Sequence, residues 1–396
     1  MSISSLPLSY CTNVHPGVTV DEVIHGLRQY TGEIQRIIGR PLAAGLWLSQ
    51  PVIRELLADA TQVARLRETL ATSQLTTYTL NAFPYGDFHS ERVKENVYLP
   101  DWTEPSRLQY TLDCANLLAQ VLPEGVEGSL STVPLGFKTL SDQPGFQPAC
   151  IRQLIQFAQA MDELHDDTGQ VIRLAIEPEP LCMLETTPET IAFFAALREA
   201  ADASGDRAAV DRHIGVCYDV CHQSVEFEDV AASIRELGDA DIRINKVHIT
   251  CAIEVRQPTA ESLAALARFV EPRYLHQTFA RSSSGKVVHF LDLDRTLCEQ
   301  PPPEFQNAET WRVHFHVPVD AESLGPLFTT RDDLRKALVQ IQLLNYAPHL
   351  EVETYTWGVL PSGEKPSLVA GIAQELRATQ LLLGNLELNK SGLSVV

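Results

Sequence analysis

Leu174-Ala-Ile-Glu177, Gly215-Val-Cys-Tyr-Asp219-Val-Cys-His222, Asn245-Lys-Val-His248-Ile-Thr250 and Leu350-Glu-Val-Glu353-Thr-Tyr each run from apolar alternation into a carboxylate or an imidazole. Each is short and leads into helical sequence or a turn. Side chains alternate across a strand. Arg173, Ala175, Glu177 and Glu179 therefore share one face of the first segment, and Leu174 and Ile176 the other. Gly215, Cys217 and Asp219 oppose Val216 and Tyr218; Lys246, His248 and Thr250 line up; Glu351 and Glu353 oppose Leu350 and Val352. The apolar faces suit packing on helices, which leaves the polar faces inside a ring of strands. Ring interiors are ordinarily filled by branched apolar side chains, and ionisable groups there are costly unless paired or bound to a metal. Glu177, Asp219, His248 and Glu353, all at strand ends, are thus expected to converge on a divalent cation. Mixed carboxylate and imidazole donors suit Mn²⁺, Co²⁺, Fe²⁺, Mg²⁺ or Zn²⁺. A pure zinc site more often has three nitrogen or sulfur ligands.

Outward from these segments, strand-like and helix-like stretches alternate. Strands are expected at Leu8 to Thr12, Ala43 to Leu48, Leu75 to Ala82 and Ser129 to Val133, ahead of the four already quoted. Helices are expected at Val23 to Ile38, after a capping box at Thr19 and Glu22, and from Thr187-Pro-Glu189, near Val230 to Leu237, near Ser262 to Phe269 and near Asp332 to Leu343. Eight β–α units imply a parallel sheet closed into a (β/α)8 TIM barrel. The reading is of one domain over 1–396, with an irregular insertion at about 280–310, before the last strand. A barrel often takes about 250 residues and tolerates insertions beyond 400, so 396 residues fit.

Other residues could join the site. His222 lies one helical turn past Asp219. His314-Phe-His316 puts two imidazoles on one strand face; they would complete a second metal site, contact substrate, or simply face solvent. The loops Tyr10 to Gly17 and Asn81 to His89 follow the first and third strands. They offer Asn13, His15, Asn81, Tyr85 and His89, with Lys246, as substrate contacts, or they are plain structural loops. Aromatic and hydrogen-bonding groups together suit a polyol or sugar-like ligand. Asp292-Leu-Asp294-Arg-Thr296 matches the nucleophile motif of haloacid-dehalogenase-like phosphatases. The roughly 100 residues after it are too few for the surrounding domain and are taken up by the last barrel unit.

The net charge is −20, from 31 basic and 51 acidic residues. Nucleic acid binding needs Lys and Arg to displace counterions, so no nucleic acid partner is expected. Residues 1–10 lack the features of a signal peptide, and no apolar run approaches the ~18 residues of a membrane span. A cytoplasmic location without membrane insertion is expected. Eight irregularly spaced cysteines read as buried thiols. Cys217 to His222 has one residue too many for haem attachment.

Glu177-Pro, Asp219-x-x-His222, Lys246-x-His248 and Glu353-Thr resemble, in order and spacing, the metal-site motifs of the xylose isomerase-like TIM barrel superfamily. More narrowly, Tyr10-Cys-Thr-Asn-Val-His-Pro-Gly17, Asn81-Ala-Phe-Pro-Tyr-Gly-Asp-Phe-His89, Val97-Tyr-x-Pro-Asp-Trp102 and Glu351-Val-Glu-Thr-Tyr-Thr-Trp357 resemble the metabolite traffic protein EboE family. The resemblance implies Glu177, Asp219, His248 and Glu353 as metal ligands. It also implies a place among proteins that process or traffic a secondary metabolite. Thr250 stands where epimerases of the superfamily commonly have an acidic or polar partner, and Arg256 is a candidate for the arginine that often follows. The expected activity is isomerisation or epimerisation of a small sugar-like or hydroxy-carbonyl metabolite, with Glu177 and Glu353 moving a proton and His222 assisting. A metal-dependent hydrolase or phosphodiesterase, and a non-catalytic metabolite binder, are the alternatives.

Overall fold

The computed structural model describes residue 4 and residues 6–140, 143–361 and 366–390. Eight parallel strands follow one another around a closed barrel. They are Ser9–Cys11, Leu42–Trp47, a third strand in two pieces (Leu75–Thr76 and Thr79–Asn81), Gly128–Thr132, Ile172–Ile176, Ile214–Asp219, Ile244–Ile249 and His349–Val352. The eighth strand pairs with the seventh, Leu350 opposite Val247, and with the first, Val352 opposite Tyr10, which closes the ring. The alternation read from the sequence holds: Leu174, Ile176, Val216, Val247, Leu350 and Val352 belong to the main apolar core.

Local signals place the helices. Thr186 and Glu189 form the reciprocal capping box that opens Thr187–Ser204, with Pro188 in its first turn. Thr19 accepts the Glu22 backbone N–H at 3.2 Å to start Val20–Gly26. Gly45, on the second strand, faces the barrel interior. A Cβ there would lie 1.5 Å from Glu351 Oε2, so the close approach of Glu351 demands glycine.

The chain between the seventh and eighth strands departs from expectation. Residues 280–310, read as irregular, carry the strand Val287–Phe290 and the helices Arg295–Glu299 and Pro303–Gln306. They belong to a six-stranded antiparallel sheet that also holds Ile253–Arg256, Thr278–Arg281, Thr310–Val313, Ser323–Leu324 and Leu327–Thr329. Strands of two to four residues are too short to declare a period. The helix expected near Ser262 to Phe269 forms as Ala260–Leu266 within this insertion. The barrel helix after the seventh strand is instead Arg331–Ile341, packed on Val230–Asp239.

The insertion also accounts for the phosphatase-like motif. Asp292 accepts Lys94 Nζ at 2.6 Å and the His276 backbone N–H at 2.9 Å. Asp294 caps Arg295–Glu299 through the Leu297 N–H at 2.6 Å. Both carboxylates secure loops.

Candidate metal centre

Register sets the centre. On the seventh strand His248 lies opposite Asp219 on one side and Glu351 on the other. Glu177 and Glu353 each follow the last residue of their strand, so their side chains reach the same C-terminal mouth. One ligand atom from each of Glu177, Asp219, His248 and Glu353 falls within 4.8 Å of the others, and all four residues are buried. His248 Nδ1 is 2.9 Å from Glu177 Oε1, 3.3 Å from Glu353 Oε2 and 3.5 Å from Asp219 Oδ2.

The chemistry of this set fits a divalent cation. Glu177 Oε2 and Asp219 Oδ2 are buried with no hydrogen-bond partner among the described residues, an arrangement that is costly without a positive charge nearby. Burial raises the Glu177 pKa against the pull of His248 and pushes Glu353 up to about 7. Burial alone would raise Asp219 too, but His222, His316 and His248 together hold it below the usual carboxylate range. Burial opposes charge on His248, yet Cys217, Glu177 and Glu353 outweigh it and raise that imidazole above its ordinary pKa. A divalent cation, were it bound among Glu177, Asp219, His248 and Glu353, would supply the positive charge these carboxylates need.

The structure gathers a second group beside the first. His222 Nδ1 donates to Pro178 O at 2.9 Å, His316 Nδ1 to Glu353 O at 2.7 Å, and His314 Nδ1 to Gln277 Oε1 at 2.7 Å. These bonds fix the tautomers and leave all three Nε2 atoms with free lone pairs. Nε2 of His314 and Nε2 of His316 lie 3.3 Å apart, and the His222 and His314 ring centroids are 4.6 Å apart. Burial holds all three imidazoles below their ordinary pKa, hence neutral. Glu179, with His222 and His314, and Asp219, with His222 and His316, each complete a trio spaced for a metal.

Supporting residues hold these side chains. Asn13 and Asn81 both donate to Glu353 Oε1, at 2.9 and 2.8 Å. Thr250 donates to Asp219 Oδ1 at 2.6 Å. Lys246 lies deeper in the barrel, 2.6 Å from Glu351 Oε1.

Four residues read as substrate contacts do not line the central cavity. Lys246 is one. His15 bonds Tyr10 Oη at 3.0 Å and stacks on Tyr30. Tyr85 packs on Tyr110. His89 Nε2 donates to Asn13 O at 2.8 Å, bracing the first loop. Arg256 pairs with Glu254 in the insertion sheet and lies outside the cavity lining. Two residues at the site were not among the expected site residues: Tyr98, which lies in the quoted Val97 to Trp102 stretch and donates to Glu179 at 2.8 Å, and Gln277, which carried no sequence signal and donates to Tyr98 Oη at 3.0 Å. The expected buried thiols are observed, all eight cysteines being free and buried.

A cavity of about 50 Å³ opens above the centre. Glu177, Glu179, His222, His314, His316 and Glu353 form one end, and Phe83, Phe88, Val93, Val97, Tyr274 and Leu275 wall the rest. Among the described residues no helix is long and apolar enough to cross a membrane.

No family model and no curated protein matches the chain. Solved structures do. A xylose isomerase-like TIM barrel protein from Mycobacterium smegmatis in complex with magnesium is 11% identical, covers 98% of this chain and 99% of its own, and has a TM-score of 0.53. L-ribulose 3-epimerase is 12% identical, with 98% of each chain covered and a TM-score of 0.52. Sequence identity this low speaks to architecture alone, and that architecture agrees with the barrel closure and strand order: the chain has the fold of the xylose isomerase-like TIM barrels.

Proposed function

We propose that this chain is a divalent-metal-dependent isomerase or epimerase acting on a small hydroxy-carbonyl metabolite. The carrying observation is that Glu177, Asp219, His248 and Glu353 converge within 4.8 Å at the base of a largely apolar cavity. The same four residues are proposed to hold the cation. When bound, a divalent cation supplies Lewis-acid polarisation of a carbonyl and its neighbouring hydroxyl. Glu177 and Glu353 both line the cavity, where two carboxylates can exchange protons with a bound substrate. One takes the proton from the hydroxyl-bearing carbon, and the electron pair of that C–H bond moves toward the adjacent carbonyl. The other returns a proton to the carbon that becomes the new centre. Asn13 and Asn81 fix Glu353 for this task. The motif resemblance supports placing the chain in the EboE family, beside other proteins of one metabolite pathway; a cytoplasmic location is a separate part of the proposal.

The test is solvent deuterium exchange into a panel of hydroxy-ketones, with metal content measured alongside. Glu177→Gln and Glu353→Gln should each lower exchange by about 10²-fold or more. Full exchange in both variants would reject the assignment.

A second reading is favoured by the three free Nε2 atoms of His222, His314 and His316. It is a multinuclear hydrolase in which these imidazoles, with Asp219 or Glu179, hold a further cation. Metal counting, joined to a search for phosphodiester hydrolysis, separates the two.

A further inference from the structure

Phe88, Tyr274 and Tyr355 form an aromatic cluster with ring centroids 4.9 to 5.4 Å apart, and Tyr355 packs on His316 at 4.7 Å. An apolar wall therefore begins immediately beside the imidazoles of the centre. Among the described lining residues, the polar side-chain atoms left without a hydrogen-bond partner, Asn13 Oδ1, Glu177 Oε2 and Glu179 Oε2, belong with the free imidazole nitrogens to residues of the centre and not to Phe88, Val93 or Val97. Asn13 and Asn81 serve Glu353, and Tyr98 serves Glu179. Lys94 is the only lysine or arginine among the described lining residues. Its three donors go to Glu271 O at 3.1 Å, Tyr274 O at 2.6 Å and Asp292 Oδ2 at 2.6 Å.

We infer that the ligand of this site is an α-hydroxy ketone whose remaining substituent is apolar and uncharged, rather than a polyol chain or a phosphorylated sugar. The inference rests on the hydroxy-carbonyl reading above and narrows it. A phosphate would meet Glu177, Glu179 and Glu353 with no free cationic side chain to balance them. Each polyol hydroxyl pressed against Phe88, Val93 or Val97 would lose its water partner and gain none, a cost of roughly tenfold in affinity apiece. An aromatic or alkyl group gains from the same surface. The space in this state, about 50 Å³, holds only one or two waters. Phe88, Val93 and Val97 all line this space. All three belong to one segment, 83–98, which is tied to the insertion by Lys94.

The experiment uses the Co²⁺-loaded full chain, with binding read by calorimetry and loss of the α-proton by NMR in D₂O. The probes are 2-hydroxyacetophenone, D-fructose and D-fructose 6-phosphate. The aryl ketol should bind roughly tenfold or more tighter than D-fructose, and the phosphate ester no tighter than inorganic phosphate. Val97→Asn should erase the aryl preference; a second variant, Leu275→Asn, covers the case of a misfolded first one. Equal or tighter binding of the sugar or its phosphate, or no binding of the aryl ketol at millimolar concentration, overturns the ligand class. Tight aryl binding without proton exchange keeps the ligand class and removes the isomerase reading. Exchange of the fructose proton without aryl preference does the reverse.

Discussion

Lys246 Nζ and Glu351 Oε1 lie 2.6 Å apart inside the barrel, both side chains closed to solvent, directly behind His248. Glu351 Oε2 also accepts the Ser9 hydroxyl at 2.8 Å, and its Oε1 is 3.3 Å from His248 Nε2. The carboxylate thus faces one ring nitrogen of His248, while the other, Nδ1, faces Glu177, Asp219 and Glu353. A carboxylate behind an imidazole would help orient the ring toward a cation bound on its other side. Lys246 makes that carboxylate tolerable in the interior.

Removing one member of a buried ion pair strands the other. Lys246→Met should therefore cost about 3–5 kcal/mol in urea unfolding, and Lys246→Met with Glu351→Leu should recover most of it. The pair also predicts a pH dependence. Burial would raise Glu351, but Lys246 and His248 hold it down at about 2, against about 4.3 when unfolded. A folded pKa below the unfolded one gives stability that is present above the unfolded value and lost as pH falls through the folded one. The difference in stability between the wild type and Glu351→Gln should shrink by about 3 kcal/mol between roughly pH 5 and pH 2. A constant difference across that window would contradict the charge state assigned to Glu351.

Metal stoichiometry tests the imidazole group. His316 offers a free Nε2 that is 3.3 Å from that of His314, two lone pairs that need a cation or a proton between them. If the second, multinuclear reading holds, elemental analysis of His316→Ala should show one metal equivalent fewer than the wild type; on either reading His248→Ala should lose the equivalent proposed for Glu177, Asp219 and Glu353. Identical metal content in wild type and His316→Ala would leave the first centre as the whole site.

The strands that carry Glu177, Asp219, His248 and Glu353 were legible because their alternation is long enough to separate an inward polar row from an outward apolar one. Glu179 fell on the same row as Glu177. His314 and His316 were recognisable as a pair, but whether they faced solvent or the centre depended on contacts across the chain: the backbone N–H groups of His314 and Val317 bond Gln277 O and Cys251 O. The sheet that delivers them was opaque for the same reason, since its short strands are defined by partners up to about seventy residues away, such as Phe328 opposite Glu254. His15, Tyr85 and His89 show the converse. Their loops do sit at the mouth, yet sequence spacing could not show that the rings turn inward to brace those loops.

Lys94 should act as a latch on segment 83–98. It is almost wholly buried and spends every donor on the insertion, and the backbone N–H groups of Val93 and Lys94 both bond Arg273 O. Lys94→Met keeps the stem and deletes the charge. Asp292 is partly exposed and regains water, so the loss should be local, about 1–3 kcal/mol. Limited proteolysis should cut within 83–98 about tenfold faster while the barrel's unfolding midpoint moves little. Uniform destabilisation, with no local increase in cleavage, would mean the tie is part of the global fold.

Thr250 occupies the position where the sequence departs from epimerase motifs, and its hydroxyl shows what the substitution achieves. It donates to Asp219 Oδ1 at 2.6 Å and accepts the Cys221 backbone N–H at 2.8 Å. Asp219 Oδ1 also takes the His222 N–H at 3.2 Å, so Oδ1 is saturated and Oδ2 alone is left for a cation. Valine matches threonine in shape without the hydroxyl. Thr250→Val should therefore leave the Cys221 N–H unpaired, at about 1–3 kcal/mol. It should also free the Asp219 carboxylate to rotate, weakening metal affinity by about 10–100-fold in a calorimetric titration. Thr250→Ser restores the donor and should restore affinity even where the lost methyl group lowers stability. Equal metal affinity in the valine and serine variants would show that Asp219 is positioned by the backbone alone.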